Sequence, residues 1–470
     1  MQLELCGASD GVLREVIVEA LPQLRDRLDE ANRSLPRFVW REFERYLACR
    51  DFAEGFAWLK CDNGDCDTHR LVPWTCQGRG FCPCCTGRRM ASRSAHWVDD
   101  VLPEVGVRQW VFTLPWRVRW LCARKSEVMR QLIGIAWRAV SRYQEIRAAA
   151  LGHQGVQTGS ITAIQRFGSA LNLNVHAHAL HLDGVYVEDG DALEFIALPP
   201  PSTEDVEGLI VDVADRCERW LRRAGYGDED APAEPDEEQD GLSTIQARSL
   251  EGRAALGRVR RVQRRGGREY QMPPRCASSR GYSLHAGVAA GAQDRAGLER
   301  LARYISRGPV AKGRLSRAED GDVVLHMKRA WSDGTTEIRF TPLAFVERLA
   351  SLVPPPRVHQ VLYHGVLAPH AAWRARVVPS PRSAAAGDED GDERTDAAEP
   401  PQPALSAQPH PKSRWVPWAR LLWRVFGVAG FECPNCGGPM HLRALVARPP
   451  ATVKVLNSLR RSAQRARPPP

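Results

Sequence analysis

Along the first 45 residues apolar side chains return every three or four positions. Leu13, Val16, Ile17, Ala20 and Leu21 share one face, so the chain is expected to open as helix. Over 159–187 the rhythm changes to alternation. Ile161, Ala163 and Gln165 alternate with Thr162 and Ile164, and Asn174, His176, His178 and Leu180 alternate with Val175, Ala177 and Ala179. Two strands joined through Phe167-Gly168-Ser169 fit this pattern. Helical spacing returns over 293–309, where Leu298, Leu301, Ala302 and Ile305 form a stripe and Arg300, Arg303 and Arg307 lie opposite. Residues 328–341 are expected to form a hairpin turning at Asp333-Gly334, and residues 415–428 a further helix.

These elements predict an α+β protein of more than one globular unit, as 470 residues would suggest. The expected division has four parts. Residues 1–95 hold a helical segment and a cysteine-rich region, and residues 96–380 mixed strands and helices with a charged insertion at 226–268. A disordered linker is expected at 383–411, then a tail at 412–470. No apolar run of about 18 uncharged residues occurs, which argues against a membrane span. The first residues lack the basic-then-apolar order of a secretion signal, so a soluble cytoplasmic protein is expected.

Charge sharpens the picture once it is divided. The formal net is +9, yet residues 226–240 carry eight acids and no base, and residues 383–411 carry seven acids against Arg394 alone. The rest is therefore far more basic than the whole, which suits a polyanion whose counterions are released on binding. Arg253 to Arg268 holds seven arginines and no acid, a solvated loop or a contact to a nucleic-acid backbone.

The thirteen cysteines are clustered rather than scattered: Cys61, Cys66, Cys76, Cys82, Cys84 and Cys85 fall within 25 residues, just after Cys49. Two close pairs of thiols 15–20 residues apart are the pattern of a structural zinc site. The best quartet is Cys61 and Cys66 with Cys82 and Cys85, with Cys76 or His69 as a substitute. Four protein ligands leave such an ion no open position for chemistry. The helix expected at 87–97 carries Arg88, Arg89 and Arg93 as candidate DNA-backbone contacts, and Arg303 is another. In the tail, Cys433 and Cys436 form half of a second zinc knuckle, with His441 nearby.

His176 and His178 lie two apart on a strand and so share a face, and a hairpin centred near 170–171 sets Gln165 opposite His176. Two imidazoles and an amide oxygen make a three-ligand site with room for a phosphate oxygen on Mg²⁺ or Mn²⁺. Tyr304 falls about 110° from the centre of its helix's apolar stripe, anchored at the edge of the core and open to a neighbouring site.

At these residues the chain resembles the rolling-circle transposases of the HUH endonuclease superfamily, from bacterial insertion sequences and common-region elements. The resemblance is carried by CQGRGFCPCCTGRRMA (76–91), VRQWVFTLPW (107–116), IQRFGSALNLNVHAHALHLDGVY (164–186), GYSLHAGV (281–288), RYISRGPVA (303–311) and KRAWSDGTTEIRFTPLAFVERLASLVPPPRVHQVLYHGVLAPHA (328–371). It implies a zinc-binding region ahead of a nuclease domain whose antiparallel sheet is flanked by helices. His176-Ala177-His178 takes the place of the metal motif and Tyr304 that of the nucleophile. Many relatives carry two tyrosines four residues apart; here the flanking positions are Arg300 and Gly308, as in the single-tyrosine branch.

The implied activity is metal-dependent nicking and strand transfer of single-stranded element ends through a 5′-phosphotyrosine link, with no call on ATP. No GxxxxGK[ST] loop occurs, so a host helicase or replication protein is the expected unwinding partner. Two other readings are a catalytically inactive, zinc-dependent DNA-binding remnant of such a transposase and an unrelated metal-dependent hydrolase.

Overall fold

The computed structural model describes residues 2–5, 11–190, 192–227, 240–263, 271–311, 313–379, 431–447 and 449–465. The expected linker at 383–411 and helix at 415–428 lie outside them. The chain divides into a smaller unit (residues 1–8, 48–76 and 380–470) and a larger one (9–47 and 77–379).

In the larger unit a six-stranded antiparallel sheet runs in the order Cys276–Ser279, Tyr282–Ala290, Val107–Thr113, Leu173–Leu182, Gly159–Phe167, Val361–Gly365. The alternation read at 159–187 has its physical source here, because each central strand has one face under helices and the other under different helices. Val175, Ala177, Ala179 and Phe112 are fully or almost fully buried on one side, where Trp137 of the helix Ser126–Ala150 packs edge-on to Phe112. Ile161, Ala163 and Leu180 on the other side pack with Leu298, Ala302 and Ile305 of the helix Arg295–Ser306 and with Trp97 and Val98 of the helix Pro83–Asp100.

Those two helices approach closely where the chain leaves the first of them. A Cβ on Gly308 would stand 2.4 Å from Thr86 Oγ1, so glycine is required. The predicted opening helix is present as Gly11–Glu30 and Arg37–Leu47.

The charged insertion expected at 226–268 is partly structural. Gly241–Leu250 is a helix, and Val259–Gln263 joins a second antiparallel sheet with Leu315–Arg317, Val323–His326 and Thr335–Phe340. The hairpin expected over 328–341 does turn before Thr335, with Gly334 at φ +84°, but its first strand is Val323–His326. In the smaller unit the order is Gln2–Leu5, Thr68–Pro73, Gly55–Cys61, Met440–Ala447, so a strand from the C-terminal tail closes a sheet begun near the N-terminus.

Candidate active site and metal centres

The hairpin register places Gln165 directly opposite His176, and His178 opposite Ala163 on one side and Val111 on the other. Val111 also faces His285 across the next strand, so His178, Val111 and His285 align on one face of the sheet. His176 Nδ1 bonds the Asn174 carbonyl oxygen at 2.8 Å, which makes Nδ1 the protonated nitrogen and leaves Nε2 a lone pair. His178 Nδ1 meets the side-chain amide of Gln109 at 2.9 Å. The two Nε2 atoms then face each other at 3.0 Å.

Neither imidazole is charged at neutral pH. Burial, then the charges of Arg119 and Arg307, hold His176 down to about 4, and burial followed by the charges of His176, Arg307 and His285 lowers His178 well below its ordinary value. The Gln109 amide nitrogen donates to His178 Nδ1, which puts the His178 proton on Nε2; with that amide turned to present its oxygen, the proton would move to Nδ1 and the two Nε2 lone pairs would converge as donors for a divalent cation.

Gln165 spends its amide NH₂ on the end of the tyrosine helix, donating to the Ile305 carbonyl at 2.9 Å and the Tyr304 carbonyl at 3.4 Å. Its Oε1 is buried and without a partner, the atom a metal would take. Tyr304 stands at the edge of its helix's buried face, 44% exposed, with its ring centroid 5.6 Å from that of His178 and nearly perpendicular to it. The Arg307 guanidinium lies 4.4 Å from the Tyr304 ring centroid. Gln109 and His285 went unread in sequence and Arg307 was read only on the basic face of its helix, since their link to the site runs through strand pairing and a helix end.

The arginines read as DNA contacts differ in their surroundings. Arg88, Arg89 and Arg93 all lie on the helix Pro83–Asp100. Arg89 donates to the Gln77 and Gly78 carbonyls, and burial, ahead of the charge of Arg89, lowers Arg93 to about 10. Arg303 is tied to Glu299 at 2.6 Å along its own helix.

The thiols group differently from the expected quartet. Cys61 and Cys66 meet Cys433 and Cys436, not Cys82 and Cys85, and all four sulfurs lie within 4.8 Å of one another. The reason is strand pairing. Met440–Ala447 runs antiparallel to Gly55–Cys61 with Met440 opposite Cys61, which carries the preceding CxxC to the end of that strand. Zinc–thiolate bonds of about 2.3 Å separate tetrahedral sulfurs by about 3.8 Å. Here Cys61 and Cys436 are 3.5 Å apart and Cys66 and Cys433 3.6 Å apart.

The tail's CPNC turns tightly, with the Cys433 N–H bonded to the Gly438 carbonyl, the Gly437 N–H to the Cys433 carbonyl, and Gly437 at φ +72°. His441, read as a possible further ligand, pairs with Asp62 instead. Within the smaller unit the Cys76 N–H bonds the Cys49 sulfur at 3.3 Å. The donor set of Cys61, Cys66, Cys433 and Cys436 suits structural zinc.

Residues 159–200 and 241–374 match a family model described as "Putative transposase", and residues 19–114 match one described as "Transposase zinc-binding domain", from the IS91 family. The break in the first match takes in the acidic stretch before Gly241. No curated protein and no solved structure matches the chain. Sheet, thiol groups and matched domains together define a DNA transposase equipped with structural zinc. The chain carries both matched domains in order, an IS91-type transposase zinc-binding domain followed by a putative transposase domain. Among the described residues no helix is long and apolar enough to cross a membrane.

Proposed function

We propose that this transposase nicks single-stranded DNA at its element ends and joins strands through a covalent bond to Tyr304, by rolling-circle transposition with a single tyrosine. The observation that carries the reading is the meeting of three side chains. The Tyr304 ring sits 5.6 Å from that of His178, whose Nε2 faces that of His176.

His176 and His178, with Gln165 Oε1 as third donor, would hold Mg²⁺ or Mn²⁺. A bound ion supplies positive charge where negative charge builds on the scissile phosphate oxygens. The chain's own groups do the rest. Gln165 holds the C-terminal end of the tyrosine helix against the histidine strand through its bonds to the Tyr304 and Ile305 carbonyls. Arg307 adds positive charge beside the phenol and the incoming phosphate.

Tyr304 Oη gives up its proton and bonds to phosphorus, and the bond from phosphorus to the 3′-oxygen breaks. The 3′-oxygen takes up a proton to become a free hydroxyl, and the 5′ end is retained as a phosphotyrosine. Attack by a second 3′-hydroxyl reverses these changes and releases the tyrosine, so joining needs no ATP. Strand separation would fall to host helicase or replication proteins.

The test is incubation with single-stranded oligonucleotides and Mg²⁺ or Mn²⁺, followed by denaturing electrophoresis for a covalent adduct. Wild type is expected to form it, Tyr304→Phe to form none, and His176→Ala to lose at least a hundredfold in rate. Cleavage that persists in Tyr304→Phe would identify a hydrolase. Binding with no adduct under any divalent ion would identify a DNA-binding remnant.

A further inference from the structure

A pocket opens beside the tyrosine, lined by Gln165, by Ile305 to Pro309 and by five arginines: Arg79, Arg89, Arg93, Arg166 and Arg307. No aspartate or glutamate lines it among the described residues. Arg79 spends its donors on the Val358 and Pro355 carbonyls at 3.0 and 2.8 Å, and Arg89 on the Gln77 and Gly78 carbonyls. Arg166 is 8% exposed and makes one bond, to the Ala123 carbonyl, while its Nε and one terminal nitrogen are buried with no partner. Among the described residues none of Arg79, Arg93, Arg166 and Arg307 pairs with a carboxylate.

Like charges gathered out of water repel one another, and unmade donors of a buried guanidinium carry a desolvation cost. The crowding is felt at Arg93, which burial and then the charges of Arg89 and Arg79 lower to about 10. Among the described residues no carboxylate lines the pocket to offset this charge, so an anion is the component that would complete it.

We infer that this pocket receives a backbone phosphate of the single strand, next to the scissile phosphate rather than the scissile phosphate itself. The phosphate would be held by the positive charge of Arg93, Arg79 and Arg307 along the pocket wall. The position follows from the lining: Gln165 and Arg307 border both this pocket and the tyrosine, so a strand reaching Tyr304 passes its neighbouring phosphate over the arginines. This contact would fix the register of the cut without reading a base. The inference rests on the nickase reading for the strand's path, and its test is kept separate from adduct formation.

The test measures oligonucleotide binding by fluorescence anisotropy without divalent ions, over a range of salt, on the full chain. Arg93→Gln and Arg79→Gln are each expected to weaken binding about tenfold. Each should also flatten the slope of log affinity against log salt by about 0.7, the value for one phosphate contact on a single strand. Arg93→Lys, which keeps the charge, should keep most of the slope, an outcome that mere loss of packing does not produce.

A methylphosphonate walked along the strand should weaken wild-type binding at one position near the cut and have no effect there in Arg93→Gln. This readout uses wild-type protein, so it stands even where a variant folds poorly. Unchanged slopes in both glutamine variants with no sensitive position overturn the pocket, whether or not the adduct forms. Inorganic phosphate that protects wild type from heating, with oligonucleotide binding indifferent to both variants, assigns the pocket to a free anion and overturns the DNA reading. An altered slope with no adduct from wild type leaves the pocket standing and removes the nickase.

Discussion

His176, His178 and His181 lie within six residues of one strand, yet the third has a different fate. Odd and even positions of a strand face opposite ways, so His181 turns from the site into the core, edge-on to Trp137 at 5.0 Å and Trp110 at 6.3 Å. Both its ring nitrogens are buried without a partner. Burial, with a lesser contribution from the charge of His364, lowers it to about 3; His364 itself is lowered to about 4 by burial and by Arg138. A folded-state value below the unfolded one means the unfolded chain binds more protons in between. Stability is therefore full above about pH 6.5 and falls as pH drops toward 4. His181→Leu removes one of five histidines lowered in this way, leaving His176, His178, His285 and His364. Between pH 7 and 4.5 it should lose on the order of 2 kcal/mol less than wild type. Urea midpoints at the two pH values check this, and equal losses in both proteins would show that His181 is not the source of the acid limb.

The helix that carries Tyr304 was legible because its buried face repeats every three to four residues, Leu298, Ala302 and Ile305. Its start depends on Asp294, whose carboxylate accepts the Gly297 N–H at 2.7 Å. Asp294→Ala should cost about 1 kcal/mol of stability and Asp294→Asn much less, by thermal melting. The adduct rate should fall in the alanine variant, since the helix end at Tyr304 is set by its whole length. A full rate with a lowered melting temperature would separate the cap from the site.

The strands around the histidines were legible for the same kind of reason. Alternation assigned the faces, and the turn at 168–171 fixed the pairing of Gln165 with His176. What could not be read was what strand pairing imports from afar. Gln109 reaches His178 from a strand some seventy residues earlier, and His285 is aligned with it only through Val111. The helix Gly241–Leu250 was hidden for another reason: Ser243, Gln246 and Ser249 are buried on it, and polar residues give no apolar period. Ser249 bonds the Leu173 N–H, and its carbonyl accepts from Arg348. The burial of Ser243 and Ser249 is satisfied by hydrogen bonds rather than driven by hydrophobicity.

At the scale of the whole chain the smaller unit is assembled from segments hundreds of residues apart, which is why its zinc donors were misassigned. Sequence reasoning seeks both thiol pairs of a knuckle in one stretch, and here the CPNC near the C-terminus completes a site whose other pair is Cys61 and Cys66. The tail contributes more than sulfur. Met440–Ala447 covers the edge of Gly55–Cys61, and Leu456 and Leu459 of the following helix pack on Phe56 and Leu71. A chain ending at residue 379 therefore loses two ligands, an edge strand and its apolar cover together.

We expect that truncation, and the milder Cys436→Ser, to lower zinc content by one ion per chain relative to wild type. Cys84→Ser, outside this thiol group, should leave it unchanged. Metal analysis of the purified proteins supplies the count. Limited proteolysis supplies a second reading: cleavage within 48–76 should accelerate in the truncated chain and in wild type treated with chelator, because an uncovered strand whose thiolates have lost their ion has little else to hold it. Equal zinc in wild type and Cys436→Ser, with equal protection of 48–76, would mean that the four sulfurs meet without a metal and that strand pairing alone fixes the tail.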